Sequence, residues 1–451
     1  MTDDRWKKYL DPKRFRERTT FSKSDGRDAF ENDYSRLISS APIRRLQDKT
    51  QVFPLENSDF IRTRLTHSLE VSSIARSIGK SIEVKLEDKI PKDLFGQIPS
   101  LLATAGLIHD LGNPPFGHFG EVAIQQFFRK FFESGNLTLS DQEKKDFIYF
   151  DGNAQTFRIL RRLYFLVDEN GYNLSFPLLS TIIKYPGSSI SGNIPKEHRA
   201  HIKYKKFGHF VTEEKDYKII DSHLGLNSNR HPLTYILEAS DDIAYMAADI
   251  EDGVKLGIIT FDIIRDVFDS LTDKHLIEML DKDYESLKNT DVDRVNIAIQ
   301  RFRIMTQRLL IESIIEEFVE HYDSIMNGSY PHELLTNCKL SEIKECFGKL
   351  LAVILKHKKI INIELAGWNV VQGLLKEYIP ACLTDEFKKG SKTREGRLYL
   401  TVSSSYRYLF ENFTPYPNNI YNRLRLIVDF ISGMTDNYAL QLYQGLSGIR
   451  I

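Results

Sequence analysis

The dipeptide His109-Asp110 stands in Leu107-Ile-His-Asp-Leu-Gly-Asn-Pro-Pro-Phe-Gly-His118-Phe-Gly-Glu121, where two polar side chains interrupt an apolar run. Imidazole nitrogens and carboxylate oxygens both ligate divalent cations, but adjacent residues cannot enclose an ion unless others converge on them. His67 upstream and Asp241 downstream are the candidates. Two imidazoles and two carboxylates suit a six-coordinate ion with positions left for water or a phosphate oxygen. Such mixed ligation fits Mn²⁺, Fe²⁺, Ni²⁺ or Zn²⁺, and Mg²⁺ less naturally. The ion would polarise a phosphoryl oxygen and lower the pKa of a bound water. An isolated His-Asp is more often a capped helix end than a ligand pair. Here Ile108 and Leu111 flank it, and buried ionisable groups need partners, which a shared metal supplies.

Proton chemistry has candidates close by. His118 and Glu121 stand at i and i+3, so a helix starting at His118 sets both on one face. The carboxylate would then hold the imidazole's tautomer and raise its pKa. The plainer alternative is a capping histidine with a glutamate complementing the helix dipole. Asp241, Tyr245 and Asp249 follow at i, i+4 and i+8 along one helical stripe. If Asp241 holds a metal, Tyr245 and Asp249 lie about 6 and 12 Å further along the axis, which suits a nucleotide. A solvated acidic stripe is the other reading. Arg64, three residues before His67, opposes the dipole of a helix beginning there, and an anionic partner such as phosphate would relieve it.

The elements that must position these residues are helical. Thr66 reads as the N-cap of a helix carrying Leu69, Ile74, Ile78 and Ile82 at helical spacing. Ser100 opens a second through Leu101, Leu102, Ala105 and Ile108, stopped near Asp110 by Gly112-Asn-Pro-Pro115. Residues 120–132 and 232–252 read as two more, and 158–168, 176–184, 260–325, 342–357, 363–378 and 418–445 as further helical segments. Short strands are expected at 147–150, 217–220 and 397–402, and an irregular insertion at 186–230 that could flap over a site. The fold class is mostly α, one large helical core with a few short strands and a C-terminal helical extension.

Composition narrows the function. With 41% hydrophobic and 27% charged residues, the 451-residue chain can bury a large core in two or three domains. A net charge of −1 offers no global attraction for nucleic acid or anionic membrane, so anion binding must be local. No 18-residue apolar run spans a membrane, and Met1-Thr-Asp-Asp-Arg-Trp predicts no secretory signal. Cys338, Cys346 and Cys382 have neither metal-ligand nor paired spacing, which points to reduced thiols and the cytoplasm.

Five segments carry a resemblance. They are Ile43-Arg-Arg-Leu-Gln-Asp-Lys-Thr-Gln-Val-Phe-Pro54, Arg62-Thr-Arg-Leu-Thr-His-Ser-Leu-Glu-Val71, His109 through Glu121, Asp241-Asp-Ile-Ala-Tyr245 and Ile431-Ser-Gly-Met-Thr-Asp436. Each is weak alone, but in this order, from residue 43 to 436, they are specific. The chain resembles the HD-superfamily deoxynucleoside triphosphate (dNTP) triphosphohydrolases, in particular the bacterial deoxyguanosine triphosphate triphosphohydrolase (dGTPase) branch.

That resemblance implies an HD-domain helical core over 61–255, preceded by a 1–60 segment contributing to the nucleotide site. A 256–451 helical region would serve base contacts and oligomerisation. It implies metal ligands at His67, His109, Asp110 and Asp241 for one divalent ion, Mn²⁺ or Mg²⁺ first, with Fe²⁺, Ni²⁺ or Zn²⁺ behind. The implied reaction releases deoxynucleoside and intact triphosphate by water attack on the α-phosphorus, with His118 and Glu121 as the catalytic pair. Gln51 and Val52 would lie at the sugar and base, Arg64, Lys184 and Tyr185 at the phosphates, and Tyr245 and Asp249 at the deoxyribose. For guanine, Arg423 or Arg425 could present a guanidinium fork, though either could instead cover apolar surface. The implied partners are a dNTP substrate and other copies of the chain, hexamers being common in the family. The basic stretch 196–209 could touch triphosphate or single-stranded DNA, as in some relatives, where a solvated loop is the plainer reading. Rival readings are an HD-type phosphodiesterase or nucleotidase on another nucleotide, and a non-catalytic nucleotide- or DNA-binding regulator.

Overall fold

Thr63 and Thr66 close a reciprocal capping box, Thr63 N–H donating to Thr66 Oγ1 at 3.0 Å. Helix α1 (Arg64–Lys85) therefore starts before Thr66, and His67 falls in its first turn. Helix α2 (Gln97–Ile108) also starts earlier than Ser100. Glu83 near the end of α1 accepts the N–H groups of Gly96 and Ile98 at 2.9 and 3.2 Å, so a distant carboxylate does the work of a local N-cap. The computed structural model describes residues 2–17, 26–53, 55, 61–135, 137–271, 273–416 and 419–449, with the side chains of Ser134 and Ala247 left aside. Pro54, Thr272 and Asn418, which fall in segments read above, lie outside these.

Where α2 crosses α1, Gly106 lets the backbones touch: a Cβ there would lie 2.7 Å from both the nitrogen and the Cα of Ser72. After α2 the chain makes the turn from His109 to Phe116 and enters α3 (Gly117–Ser134). The other elements that matter to the site are α4 (Gly152–Arg161), α5 (Pro232–Lys255), α6 (Arg294–Glu320), α7 (Lys358–Cys382), α8 (Ile420–Ser432) and α9 (Asp436–Leu446).

The buried apolar residues form two clusters. The first joins Val71 and Ile78 of α1, Leu101 and Ile108 of α2, Ile236 and Ile243 of α5, and Phe302 and Ile314 of α6. The second joins Ile124 and Phe128 of α3, Val371 and Leu374 of α7, and Leu424 and Ile427 of α8. Helix α4 lies across the seam, with Phe157 in the first cluster and Ala154 in the second.

The expected strands are absent among the described residues, where Thr50 and Thr63 make an isolated antiparallel bridge. Residues 147–148 end the helix Asp141–Ile148, 217–220 lie in Glu214–Leu224, and 397–401 lie in Arg394–Thr401. Short aromatic and β-branched runs fit a helical face as well as an alternating strand, and burial decides between them. Phe147, Tyr217, Ile220, Leu398 and Tyr399 are all buried. The 260–325 segment is broken into Phe261–Phe268, His275–Ser286, α6 and Tyr322–Met326. The insertion is irregular, with three single-turn 3₁₀ segments, until the helix at Glu214. Among the described residues no helix is long and apolar enough to cross a membrane.

Because backbone, not a movable side chain, faces Gly106, Gly106→Ala must separate α1 from α2. We expect a loss of about 1–3 kcal/mol in unfolding free energy by denaturant titration; an unchanged midpoint would contradict this packing.

Candidate metal centre and its surroundings

His67 from α1, His109 at the C-terminus of α2 and Asp241 from the middle of α5 meet with ligand atoms all within 4.8 Å of one another. Both imidazoles are buried. The His109 Nδ1–H donates to the Gly106 carbonyl at 2.8 Å. A carbonyl only accepts, so the lone pair of a neutral His109 is on Nε2. That nitrogen faces Asp241 Oδ1 at 3.3 Å and Asp110 Oδ1 at 3.4 Å and has no hydrogen-bond partner among the described residues. His67 Nε2 lies 3.1 Å from the same Asp241 oxygen. Electron-rich atoms converging in a buried space require positive charge between them. Burial opposes the His109 imidazolium, but the Asp110 and Asp241 carboxylates outweigh it and raise its pKa. The donor set fits a divalent cation, which would take the place of a proton among these atoms.

Asp110 stands slightly apart from this trio. Its Oδ2 is held by Arg64, the first residue of α1, so the anionic partner expected for Arg64 is here a carboxylate. On the other side Lys184 Nζ donates to Asp241 Oδ2 at 2.7 Å. Burial opposes the Lys184 charge, but Asp241 and Glu238 raise its pKa above the usual lysine value. Tyr185 beside it is buried, and burial pushes its phenol well up.

Arg64 also reaches the second cluster. A Cβ on Gly117 would lie 2.8 Å from Arg64 Nη2, so the start of α3 sits directly on the Arg64–Asp110 pair. One residue further, His118 Nδ1 lies 3.2 Å from Glu121 Oε2. Glu121 is fixed from behind, Oε1 accepting the Gly152 N–H at 2.7 Å. The hydrogen bond to Glu121 raises the His118 pKa, partly offset by burial. The His118 side chain is 75% exposed while that of Glu121 is 7% exposed, so the imidazole reaches outward from a buried anchor.

Tyr245 is half-buried against the first core, and burial followed by Asp242 and Asp241 raises its phenol. Asp249 is buried, and burial and Asp252 push its carboxyl well above the carboxylate range. Gln51 and Val52 follow the Thr50–Thr63 bridge at the foot of α1; Gln51 Oε1 is buried without a hydrogen-bond partner among the described residues. The two arginines considered for the base lie elsewhere. Arg423 donates to the carbonyls of Cys382 and Thr384 at the end of α7, at 3.3 and 3.1 Å. Arg425 is fully buried, bonded to Gln155 at 2.7 Å and Asp429 at 3.0 Å and stacked on Phe210 at 3.7 Å.

Several neighbours escaped the sequence reading. Lys206, from the basic insertion, pairs with Asp151 at 2.5 Å and is close enough to Glu121 for that carboxylate to raise its pKa. Glu364 of α7 is pushed up to about 7 by burial, with His118 pulling it down. Lys49 is buried, and burial brings its ammonium down to about 7. The basic composition of 196–209 signalled Lys206; no local signal marks the partners of Lys49 or Glu364, which lie far away in sequence.

Residues 64–151 match the family model of the HD domain, and 396–445 that of a phosphohydrolase-associated domain. A deoxyguanosinetriphosphate triphosphohydrolase-like protein of Listeria innocua is 40% identical, the alignment covering 99% of this chain and 100% of the relative. A protein of the same description from Synechocystis is 31% identical with the same coverage. A probable deoxyguanosinetriphosphate triphosphohydrolase of Pseudomonas aeruginosa is 30% identical over 93% of each chain. With such likeness along its whole length, the chain belongs to the deoxyguanosinetriphosphate triphosphohydrolase-like family of HD-domain phosphohydrolases.

Proposed function

We propose that the protein hydrolyses a dNTP, dGTP foremost, to deoxynucleoside and inorganic triphosphate. The observation that carries this is the buried group of His67, His109 and Asp241, with Asp110 beside it and the outward His118 braced by Glu121. A divalent cation held by these residues, Mn²⁺ or Mg²⁺ first, would supply Lewis-acid polarisation of a phosphate oxygen and a more acidic water.

The chain's own residues would do the rest. Lys184 and Arg64 are already drawn to the centre by Asp241 and Asp110, so a triphosphate arriving there meets preorganised positive charge. His118 donates its Nδ1–H to Glu121, which leaves Nε2 facing outward to give a proton to the departing 5′ oxygen. Tyr245 and Asp249, one and two turns beyond Asp241, would face the sugar. Asp249 would accept from the 3′-hydroxyl. Discrimination against ribose would come from crowding by Tyr245. Guanine preference is supported by the names of the relatives, since neither Arg423 nor Arg425 lies free to read a base.

The full-length protein with Mn²⁺ or Mg²⁺, given each dNTP and GTP separately, should release triphosphate and deoxynucleoside in one step. Stepwise appearance of di- and monophosphates would identify a different phosphohydrolase, and no turnover of any dNTP would end this reading.

His118→Ala should lower kcat by about 10²- to 10⁴-fold, the usual span for a general acid; wild-type turnover would remove His118 from the mechanism.

The pH profile offers a finer check. A raised His118 pKa keeps the proton to higher pH, so activity falls on the alkaline side as pH rises through it. Glu121→Gln removes the largest raising cause and should move that limb to lower pH. An unmoved limb would mean that Glu121 does not govern the acid.

A further inference from the structure

Asp436 opens α9, but its side chain leaves that helix. Oδ1 accepts the backbone N–H of Phe116 at 2.9 Å, and Oδ2 accepts both the N–H and the hydroxyl of Thr50 at 3.0 and 2.5 Å. The residue is 2% exposed. Beside it, Lys49 Nζ donates to the carbonyls of Asn113 and Ser432 at 2.5 and 3.0 Å. Each tethered residue leads into one half of the centre. Phe116, at φ 63°, immediately precedes Gly117 and His118. A bulky residue keeps that left-handed conformation only where its surroundings hold it. The Phe116 ring is gripped by α7, where a Cβ on Gly367 would come 2.5 Å from Cγ. Thr50 bridges Thr63, and the Lys49 carbonyl accepts the N–H of Arg64 at 3.0 Å, which sets the start of α1.

We infer that Asp436 is a positioning residue for the hydrolytic centre: its two carboxylate oxygens fix the start of α3, and so His118, against the start of α1 with Arg64 and His67. The inference rests on the reading of His118 as the proton donor. A merely structural carboxylate would cost stability and leave the turnover of the folded fraction intact.

Two measurements on the full-length chain separate these. Amide hydrogen exchange over 112–118 and 49–53 reads the tether without substrate, and steady-state kinetics with dGTP and Mn²⁺, run below the unfolding transition, reads its use. In Asp436→Ala, exchange in both segments should rise about tenfold or more. Its kcat should fall by up to about a hundredfold, the cost of roughly 1 Å of misplacement, with KM changed much less. Asp436→Asn keeps an acceptor for Phe116 and should fall between. Tyr322→Phe loses a buried hydroxyl that donates to Asp3 at 2.7 Å, far along the first core, and should keep kcat even where its unfolding midpoint drops as far. Unchanged exchange in Asp436→Ala would overturn the inference, and so would faster exchange with kcat intact. No dNTP turnover in the unaltered chain would sink the parent reading and the catalytic part of this one, while faster exchange in Asp436→Ala would still establish the tether.

Discussion

Everything around the centre answers one electrostatic demand. The Nε2 lone pair of His109 is pinned inward by the hydrogen bond from Nδ1 to Gly106, and it looks at two carboxylates in a buried space. Bringing such atoms together is unfavourable unless cations accompany them. Arg64 answers for Asp110 and Lys184 for Asp241, each using the oxygen that points away from His109. The oxygens left facing the imidazole define the place where a divalent ion fits. The positive charge that this arrangement demands is what a divalent cation would supply.

The location of the centre follows from the packing of two cores. His67, His109 and Asp241 stand on helices of the first apolar cluster, while His118 and Glu121 stand on α3 of the second. The proposed metal ligands and the proposed proton donor thus stand on separately packed bodies. Their alignment depends on what crosses the seam: Arg64 against Gly117, Gly152 donating to Glu121, and α4 with a buried side chain in each cluster. Short contacts between rigid elements hold geometry better than a loop would.

Much of this was legible from residue types. His67, His109 and Asp241 were placed together from chemistry and family likeness, and the structure brings them together. The pairing of His118 with Glu121 follows from i, i+3 spacing once α3 starts at Gly117. The α2 start was misplaced because Glu83 satisfies its donors from afar, where a single sequence shows only local caps. The α1 start was misplaced because Thr63 and Thr66 are both local cap candidates and share one capping box. The strands expected at 147–150, 217–220 and 397–402 failed because short apolar runs carry no unique period. Arg425 illustrates a different limit. Its guanidinium could have read a base, but Asp429 and Gln155 claim it in the interior, and no spacing rule foresees a partner from α4. Asp436 stands in a family-like segment and Lys206 in the basic stretch, but no spacing rule assigns them their partners Phe116, Thr50 and Asp151.

The chain's order of synthesis gives the Asp436 tether a temporal meaning. Every residue of the His67, His109 and Asp241 group precedes the C-terminal third, and their helices share the first core with segments made early. Asp436 comes near the end of the sequence, as do most of the residues of α7 and α8 that support α3. A growing chain emerging from its N-terminus can therefore collect its ligand-bearing helices well before the turn at Phe116 is pinned. On this arrangement the proposed hydrolytic site is completed last, after the helices that carry its candidate metal ligands have been made.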